Sequence, residues 1–219
     1  MSRLCKRFRI PGTRYEMCRS ALLPRLGIAI LLGFPAQGIA GAGVWASADG
    51  TGCLVWNPSP QAGETVTWSG ACPGGKASGP GTEVFRTVVE GTSKEERYVG
   101  EMRDGKLNGA GTLYYDTGDV FEGDFADGAR VDGKGRFTYR SGAVYEGMFS
   151  GGKFEGRGVF TFGNGDRYEG LFRGGLPNGS GQFVSATGDK ISGLWKDGCL
   201  RQGTHVAAVG ISREACGFR

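Results

Sequence analysis

Apolar and polar residues alternate with a period of two in short segments that recur across residues 98–190. In the segment YEGMF at 145–149, the first, third and fifth residues fall on one side of an extended chain. In VFTF at 159–162, the two phenylalanines also share one side. Glycine-rich links such as DGKLNG and GGLPNG separate the two kinds of segment and supply the positive-φ positions that tight hairpin turns need. The pattern predicts β-hairpins with one apolar face.

The predicted hairpins belong to an internal repeat. Each full unit opens with an aromatic residue, any residue and a glycine, and four more glycines follow at fixed offsets. The full units span 98–120, 121–144, 145–167 and 168–190, and the second has one extra residue between Gly128 and Gly133. A degenerate unit at 68–97, with seven extra residues near 91–97, precedes them. A partial unit with a C-terminal cap follows at 191–219.

A single hairpin is marginally stable in water, so neighbouring units must stack to bury their aromatic side chains. Aromatic residues at equivalent positions then pair across strands, and each pair contributes roughly 0.2–1 kcal/mol. The fold is therefore predicted to be all-β: a single elongated, twisted antiparallel sheet of stacked hairpins, solenoid-like, in which each unit contacts only its neighbours.

The glycine spacing Tyr-x-Gly-x4-Gly-x3-Gly-x-Gly resembles the motif of the MORN repeat, over residues 68–203. The resemblance implies the same stack of hairpins. It also implies lipid binding as a candidate activity, because MORN repeats are associated with lipids. Some MORN repeats accompany catalytic domains, but the segments 49–67 and 204–219 are too short for such a domain.

The first 48 residues differ in composition from the rest. Residues 1–25 carry seven basic side chains and one acidic one, and the next 23 residues are uncharged and include LGIAILLGF. This order, ending in the small residues ASA at 46–48, is typical of a secretory signal peptide; a second cleavage position follows Ala40, and Met17 is an alternative start. The alternative is a membrane anchor through residues 26–45. Both interpretations predict an exported body, periplasmic or secreted.

The first 48 residues, the leader, also differ in charge from residues 49–219, the body. The whole sequence has 26 basic and 22 acidic residues, a formal net charge of +4. The leader holds seven of the basic residues and one of the acidic residues, so residues 49–219 have a net charge of −2. Binding to nucleic acid or to anionic lipid needs clustered Lys and Arg. The body is therefore not expected to bind nucleic acid, and purely electrostatic binding to acidic lipids is disfavoured.

Four of the six cysteines lie in the body and bracket the two degenerate units. Three connectivities are possible, and we favour Cys53–Cys72 and Cys199–Cys216, with buried free thiols as the alternative. Each bond would close a loop of about 20 residues, worth roughly 3 kcal/mol, and would fix a cap to one end of the sheet. Segment 49–67 also resembles the N-terminal cap of exported bacterial MORN proteins, and an oxidising compartment agrees with the leader.

The sequence gives little support for a catalytic site. The single histidine, His205, lies in the last, incomplete unit and is interpreted as a surface or cap residue. Gly-Lys pairs such as Gly105-Lys106 are never followed by the Ser or Thr of a phosphate-binding loop. No cofactor and no metal is predicted. Two rows of acids are interpreted as structural, with a strip for cations or a basic partner as the alternative. The rows are Glu122, Glu146 and Glu169, and Asp119, Asp166 and Asp189.

The first-strand aromatic residues form a row on the apolar face and are predicted to be core residues first. A one-layer sheet cannot cover the whole row, so part of it is predicted to line a groove open to a ligand or a partner peptide. The predicted groove residues are Tyr98, Phe121, Phe125, Tyr145, Phe149, Tyr168 and Phe172. The function expected is a non-enzymatic scaffold of the cell envelope that binds a protein partner. The alternative is a peripheral module that binds membrane phospholipid.

Overall fold

The structure is a computed structural model that describes residues 5–10, 13–18, 43–203 and 205–217. The chain divides into two compact units, Met1–Gly38 and Ile39–Arg219. The first contains an antiparallel hairpin of β1 (Cys5–Ile10) and β2 (Thr13–Cys18). The apolar segment LGIAILLGF of the leader lies outside the described residues.

The described residues of the second unit form β-strands and one short 3-10 turn at Pro73–Gly75. Its strands are β3 (Val44–Ser47), β4 (Leu54–Asn57), β5 (Thr65–Trp68), β6 (Gly79–Val89), β7 (Thr92–Arg103), β8 (Lys106–Tyr114), β9 (Val120–Ala126), β10 (Ala129–Thr138), β11 (Val144–Ser150), β12 (Lys153–Thr161), β13 (Arg167–Arg173), β14 (Leu176–Val184), β15 (Lys190–Trp195), β16 (Cys199–Gln202) and β17 (His205–Ala208). Within the described ranges, no helix is long and apolar enough to cross a membrane.

Strands β5 to β15 form one eleven-stranded antiparallel sheet in sequential order, which confirms the predicted all-β fold of stacked hairpins. Each full repeat is one hairpin, and the pairs β3–β4 and β16–β17 are separate. In the β7–β8 turn, Asp104 and Gly105 have φ of 50° and 80°. Two positive-φ residues of this kind match the twist of the flanking strands. The seven extra residues near 91–97 lengthen the β6–β7 hairpin.

Glycine faces glycine across the middle of the sheet: Gly147 pairs with Gly158 in its own hairpin and with Gly135 of the preceding repeat. The Tyr145 ring lies over Gly147 and Gly158, where an added Cβ would stand 2.7 Å from its Cζ. The Tyr145 hydroxyl donates a hydrogen bond of 2.8 Å to the carbonyl of Met148. The Tyr-x-Gly motif therefore places a flat ring on bare backbone.

The seven aromatic residues predicted to be core residues first, and in part to line a groove, are buried. Their exposed fractions lie between 0% and 6%. One of them, Phe149, also lines a cavity. Rings of successive repeats meet edge to face, with 5.1 Å between the centroids of Tyr98 and Phe125 and 5.1 Å between those of Tyr145 and Phe172. Backbone glycine on one side and a neighbouring ring on the other leave no room for a ligand over the paired glycines. The core set is Tyr98, Phe121, Phe125, Tyr145, Phe149, Tyr168 and Phe172.

Side chains at both margins of the sheet hydrogen-bond to the backbone of the next repeat. Asp119 accepts from the amide of Arg140, and Asp166 accepts from the amide of Ala186, both at 2.8 Å. At the other margin, Asp132 accepts from the backbone amide of Gly151, also at 2.8 Å. These bonds join repeats that lie about 20 residues apart, so the aspartates have a structural role in the stack.

The N-terminal cap is the β3–β4 pair. The amide of Trp56 donates to the carbonyl of Gly105 at 2.7 Å, and the Cys53–Cys72 disulfide, with 5.8 Å between Cα atoms, links the cap to the sequence after β5. Ala48 is 1% exposed, and its amide donates to the carbonyl of Cys53 at 2.8 Å. Strand β3 lies within the last residues of the expected leader, and it pairs with β4 in the cap.

The C-terminal cap is the β16–β17 pair. Leu200 is 2% exposed and packs against Gly193 of β15. The Cys199–Cys216 disulfide, with 5.7 Å between Cα atoms, fixes the final turns to β16. Both disulfides join the cysteine pairs favoured from the sequence, and they indicate an oxidising environment.

Candidate functional site

A row of half-buried aromatic side chains follows the second strands of the repeats, on the same face of the sheet as the core. We call this row the aromatic stripe. Its rings form a continuous series: the centroids of Phe137 and Tyr139 are 4.8 Å apart, and those of Phe160 and Phe162 are 4.6 Å apart. The stripe consists of Tyr115, Phe137, Tyr139, Phe160, Phe162 and Phe183.

The stripe is accessible because its rings do not lie over the paired glycines. In the strand register, Phe137 lies between two core residues, Phe121 of β9 and Tyr145 of β11. The core rings occupy the space over the glycines, and the second-strand rings remain half-buried. The sequence places Phe137 and Tyr139 on one face, and this alternation is the signal that identifies the stripe.

A cavity of about 400 Å³ opens along the stripe at the second and third repeats. Phe137 and Tyr139 line one part, and Phe154 lies in its floor beside the core ring of Phe149. Phe154 stacks on Tyr145 at 3.7 Å between centroids, so the floor is held rigidly. The opening therefore presents aromatic carbon on a fixed base.

Two cations stand at the rim of this cavity. Arg130 and Lys153 both line it and both are exposed. The Arg130 guanidinium lies 5.0 Å from the centre of the Phe121 ring, which fixes its position by a cation–π contact. Burial raises the pKa of Tyr139, and the nearby Asp119 raises it further, so this phenol stays neutral and can donate a hydrogen bond. The cavity thus combines apolar surface, two positive charges and a hydroxyl.

The opposite face of the sheet carries the row of glutamates. Arg136 lies between two of them, 3.6 Å from Glu122 and 3.2 Å from Glu146, and Arg167 is 2.8 Å from Glu169. These exposed ion pairs contribute little to stability, but they neutralise the row. The glutamate row therefore does not form an unbroken negative surface that could bind cations.

The remaining sequence candidates do not converge on a reactive site. His205 lies on β17 opposite Gln202. Lys106 begins β8 directly after the hairpin turn, so Gly105-Lys106 is turn sequence. Among the described residues, no group of three or more His, Cys, Asp or Glu side chains could hold a metal ion.

Comparison with known proteins identifies the repeats. The family described as "MORN repeat" matches residues 98–120, 121–144, 145–167 and 168–190. Alsin from Rattus norvegicus is 34% identical over 104 residues, which are 47% of this chain and 6% of Alsin. Alsin from Mus musculus and from Homo sapiens gives the same figures. The chain thus corresponds to a small part of these relatives.

Among solved structures, the SAS-4 TCP domain of Drosophila melanogaster, in complex with a proline-rich motif of Ana2, is similar with a TM-score of 0.31 and 12% identity. The match covers 79% of this chain and 99% of that one. The four repeat matches, the glycine register and the tyrosines laid over paired glycines agree with one another. Residues 98–190 of this chain are therefore four MORN repeats.

Proposed function

We propose that this protein is a non-enzymatic scaffold that binds a segment of a partner protein along the aromatic stripe. The observation that carries the proposal is the cavity at Phe137, Tyr139 and Phe154, where aromatic surface is rimmed by Arg130 and Lys153. Exposed apolar surface with a polar rim is typical of interaction sites. The rim favours a segment with acidic residues beside aromatic or aliphatic ones.

A scaffold role agrees with the family, since MORN repeats are interaction modules of a non-catalytic type. The stripe repeats the same side-chain types at each hairpin, whereas catalysis needs one constellation of unlike groups. A long row of equivalent contacts suits an extended or helical segment that crosses several repeats.

We also propose that the body acts outside the cytoplasm, at the cell envelope or beyond it. The two disulfides and the basic, then apolar, leader support this location. Cleavage after Ala40 would leave β3 in the mature chain, whereas cleavage after Ala48 would remove it. We expect cleavage after Ala40, because it keeps the β3–β4 pair intact. N-terminal sequencing of the exported protein tests this position. A mature chain that begins at Asp49 would contradict cleavage after Ala40, and a protein found only in the cytoplasm with its leader intact would contradict export.

A peptide-display selection against the full-length chain tests the binding proposal. Selected peptides should combine Asp or Glu with Phe, Trp or Leu, and Lys153→Glu should weaken their binding about tenfold, because it replaces an attractive charge with a repulsive one. Lys134→Glu is the matched control, because Lys134 is also exposed but lies on the opposite face.

Two results would contradict the proposal: peptides without acidic enrichment, or equal binding by the Lys153→Glu variant and the native chain. Flotation with anionic phospholipid vesicles is run in parallel. Retention of the body on vesicles that Lys153→Glu abolishes would assign the stripe to membrane lipid instead of protein.

A further inference from the structure

A second cavity, of about 360 Å³, lies between the segment at 57–64 and the lengthened β6–β7 hairpin. Phe85 and Thr87 of β6 and Lys94 and Glu96 of β7 line one side of it. Lys94 and Glu96 belong to the part of the hairpin that the four full repeats do not have. This wall is therefore specific to the degenerate first unit, and it lies apart from the aromatic stripe cavity.

Carboxylates outnumber cations around this cavity. Glu64, Glu96 and Asp116 line it, and Lys94 is the one cationic side chain among its described lining residues. The Lys94 ammonium is 3.0 Å from the Asp116 carboxylate, so these two charges offset each other. Glu64 accepts a hydrogen bond from the side-chain amide of Asn57. Two carboxylates remain uncompensated by any positive charge at the cavity.

Glu83 adds a buried acceptor beside the same cavity. Its side chain is 5% exposed, and its Oε1 has no hydrogen-bond partner in the part of the chain that the structure describes. Alternate residues of a strand share a face, so Glu83 points to the same side of β6 as the lining residues Phe85 and Thr87. A buried carboxyl oxygen without a donor is unfavourable, and a ligand N–H would relieve that cost.

We propose that this cavity binds a small primary alkylammonium group. An ammonium offers three N–H donors, and its charge complements Glu64 and Glu96. Phe85 supplies an aromatic face for a cation–π contact and for the aliphatic chain. The cavity volume is near the lower end of the roughly 300–1,000 Å³ of ligand pockets, so the alkyl chain of the ligand must be short. The group could come from a free amine or from a lysine side chain of a partner.

An NMR titration of the full-length chain tests the proposal, with n-butylammonium and Nα-acetyl-lysine methylamide as probes and 1-butanol as the neutral analogue. Saturable shifts are expected for amides at 57–64 and 85–96 with an amine, and not with 1-butanol. Glu96→Gln should weaken binding about tenfold, because it removes a carboxylate that attracts the ammonium. Glu95→Gln is the control: Glu95 is adjacent, faces the other side of β7 and pairs with Arg86.

Binding of the lysine probe alone would support the site and assign it to a partner's side chain, and binding of butylammonium as well would support a free amine. The proposal is overturned if neither amine gives saturable shifts, if 1-butanol gives the same shifts, or if Glu96→Gln binds like the native chain. Saturable shifts with Ca²⁺ and none with either amine would also overturn it.

The pH dependence of binding supplies a second readout. Burial, followed by the nearby carboxylates of Glu96 and Glu64, raises the pKa of Glu83 to about 8. Tyr98 is paired with Glu83 across β6 and β7, and burial raises the pKa of Tyr98 to about 12. Lys94 and Asp116 line the adjacent cavity. From pH 6.5 to 9, Glu83 gains its charge while an alkylammonium keeps its own, so the affinity should rise several-fold. Glu83→Gln should remove this rise, and a rise that persists would exclude Glu83 from the site.

Discussion

At the scale of single residues, the repeat depends on a tyrosine that lies flat on glycine. Gly158 does not have positive φ, so backbone strain does not require glycine there. Steric contact with the ring requires it, because an added Cβ would stand 2.7 Å from Cζ of Tyr145, which is fully buried. The glycines of the motif thus fall into two classes, those that permit a turn and those that make room for a ring.

Gly158→Ala is expected to lower the free energy of unfolding by about 2–3 kcal/mol, as overpacking of a rigid core does. Urea denaturation measures this as a lower midpoint with an unchanged slope. Gly165→Ala is the contrasting variant: Gly165 has φ of +89°, but the nearest atom to an added Cβ is 3.5 Å away, so only backbone strain of about 1 kcal/mol applies.

Gly158→Ala in a Tyr145→Leu background tests whether contact with the tyrosine ring causes the loss of stability. Without the ring, the added methyl has space, so Gly158→Ala should lose most of its cost there. A cost that is the same in both backgrounds would show that the contact with Tyr145 is not what requires glycine.

Glu83 is the second residue with a testable consequence. It occupies the register position that Leu113 and Phe137 fill in full repeats, opposite a core tyrosine or phenylalanine. Burial and the nearby carboxylates of Glu96 and Glu64 raise its pKa to about 8, whereas the unfolded chain has an ordinary glutamate. Between these pKa values the folded state binds more protons than the unfolded state, so stability falls as the pH rises.

Glu83→Gln is therefore expected to stabilise the protein at pH 8.5 but to change little at pH 4. The difference between the two pH values can reach about 4 kcal/mol, and thermal or urea denaturation of both proteins across this range measures it. Glu95→Gln, an exposed change of the same kind, should show no such trend. If the native chain and Glu83→Gln have parallel stability profiles, Glu83 titrates normally.

At the scale of elements, the sequence predicts the hairpins well because each hairpin is encoded locally. The alternation at 145–149 and 159–162 and the glycine-rich link between them lie within one repeat, and their physics involves only neighbours in sequence. Four occurrences of the same offsets then identify the stack. The pairing of β11 with β12 follows directly from this local pattern.

The accessible aromatic surface could not be predicted in the same way. Tyr145 and Phe160 lie on one face, and both look like core or groove residues in the sequence. Their difference arises from contacts between repeats: the Tyr145 ring is covered by Phe172 of the following hairpin, whereas Phe160 is only partly covered. Burial in a stack depends on where a neighbouring ring falls, and periodicity does not contain that information.

The leader boundary shows a similar limit. Small residues at 46–48 satisfy the pattern of a cleavage site, yet Ala48 is buried in the cap beside Cys53. Small size suits both a peptidase and a tight core, so composition alone does not separate the two. The pairing of β3 with β4 favours cleavage before β3, which stays a prediction.

At the scale of the whole second unit, each repeat is stabilised by its contacts with the neighbouring repeats. The strands of the sheet follow chain order, so each strand pairs only with its sequence neighbours. Such an array opens from its ends, and each end needs a cap. The Cys53–Cys72 and Cys199–Cys216 disulfides each hold one cap, with sequence separations of 19 and 17 residues.

Replacing Cys199 and Cys216 together by serine should therefore loosen one end first. The lost loop constraint is worth about 3 kcal/mol, and Leu200 would no longer be held against Gly193 of β15. Amide hydrogen exchange should accelerate most in β15, less in β13 and β14, and hardly at all in β7. The Cys53→Ser/Cys72→Ser variant should give the reverse gradient, starting at β5. Equal acceleration in all strands for both variants would contradict nearest-neighbour stability and would mean that the sheet unfolds as one cooperative body.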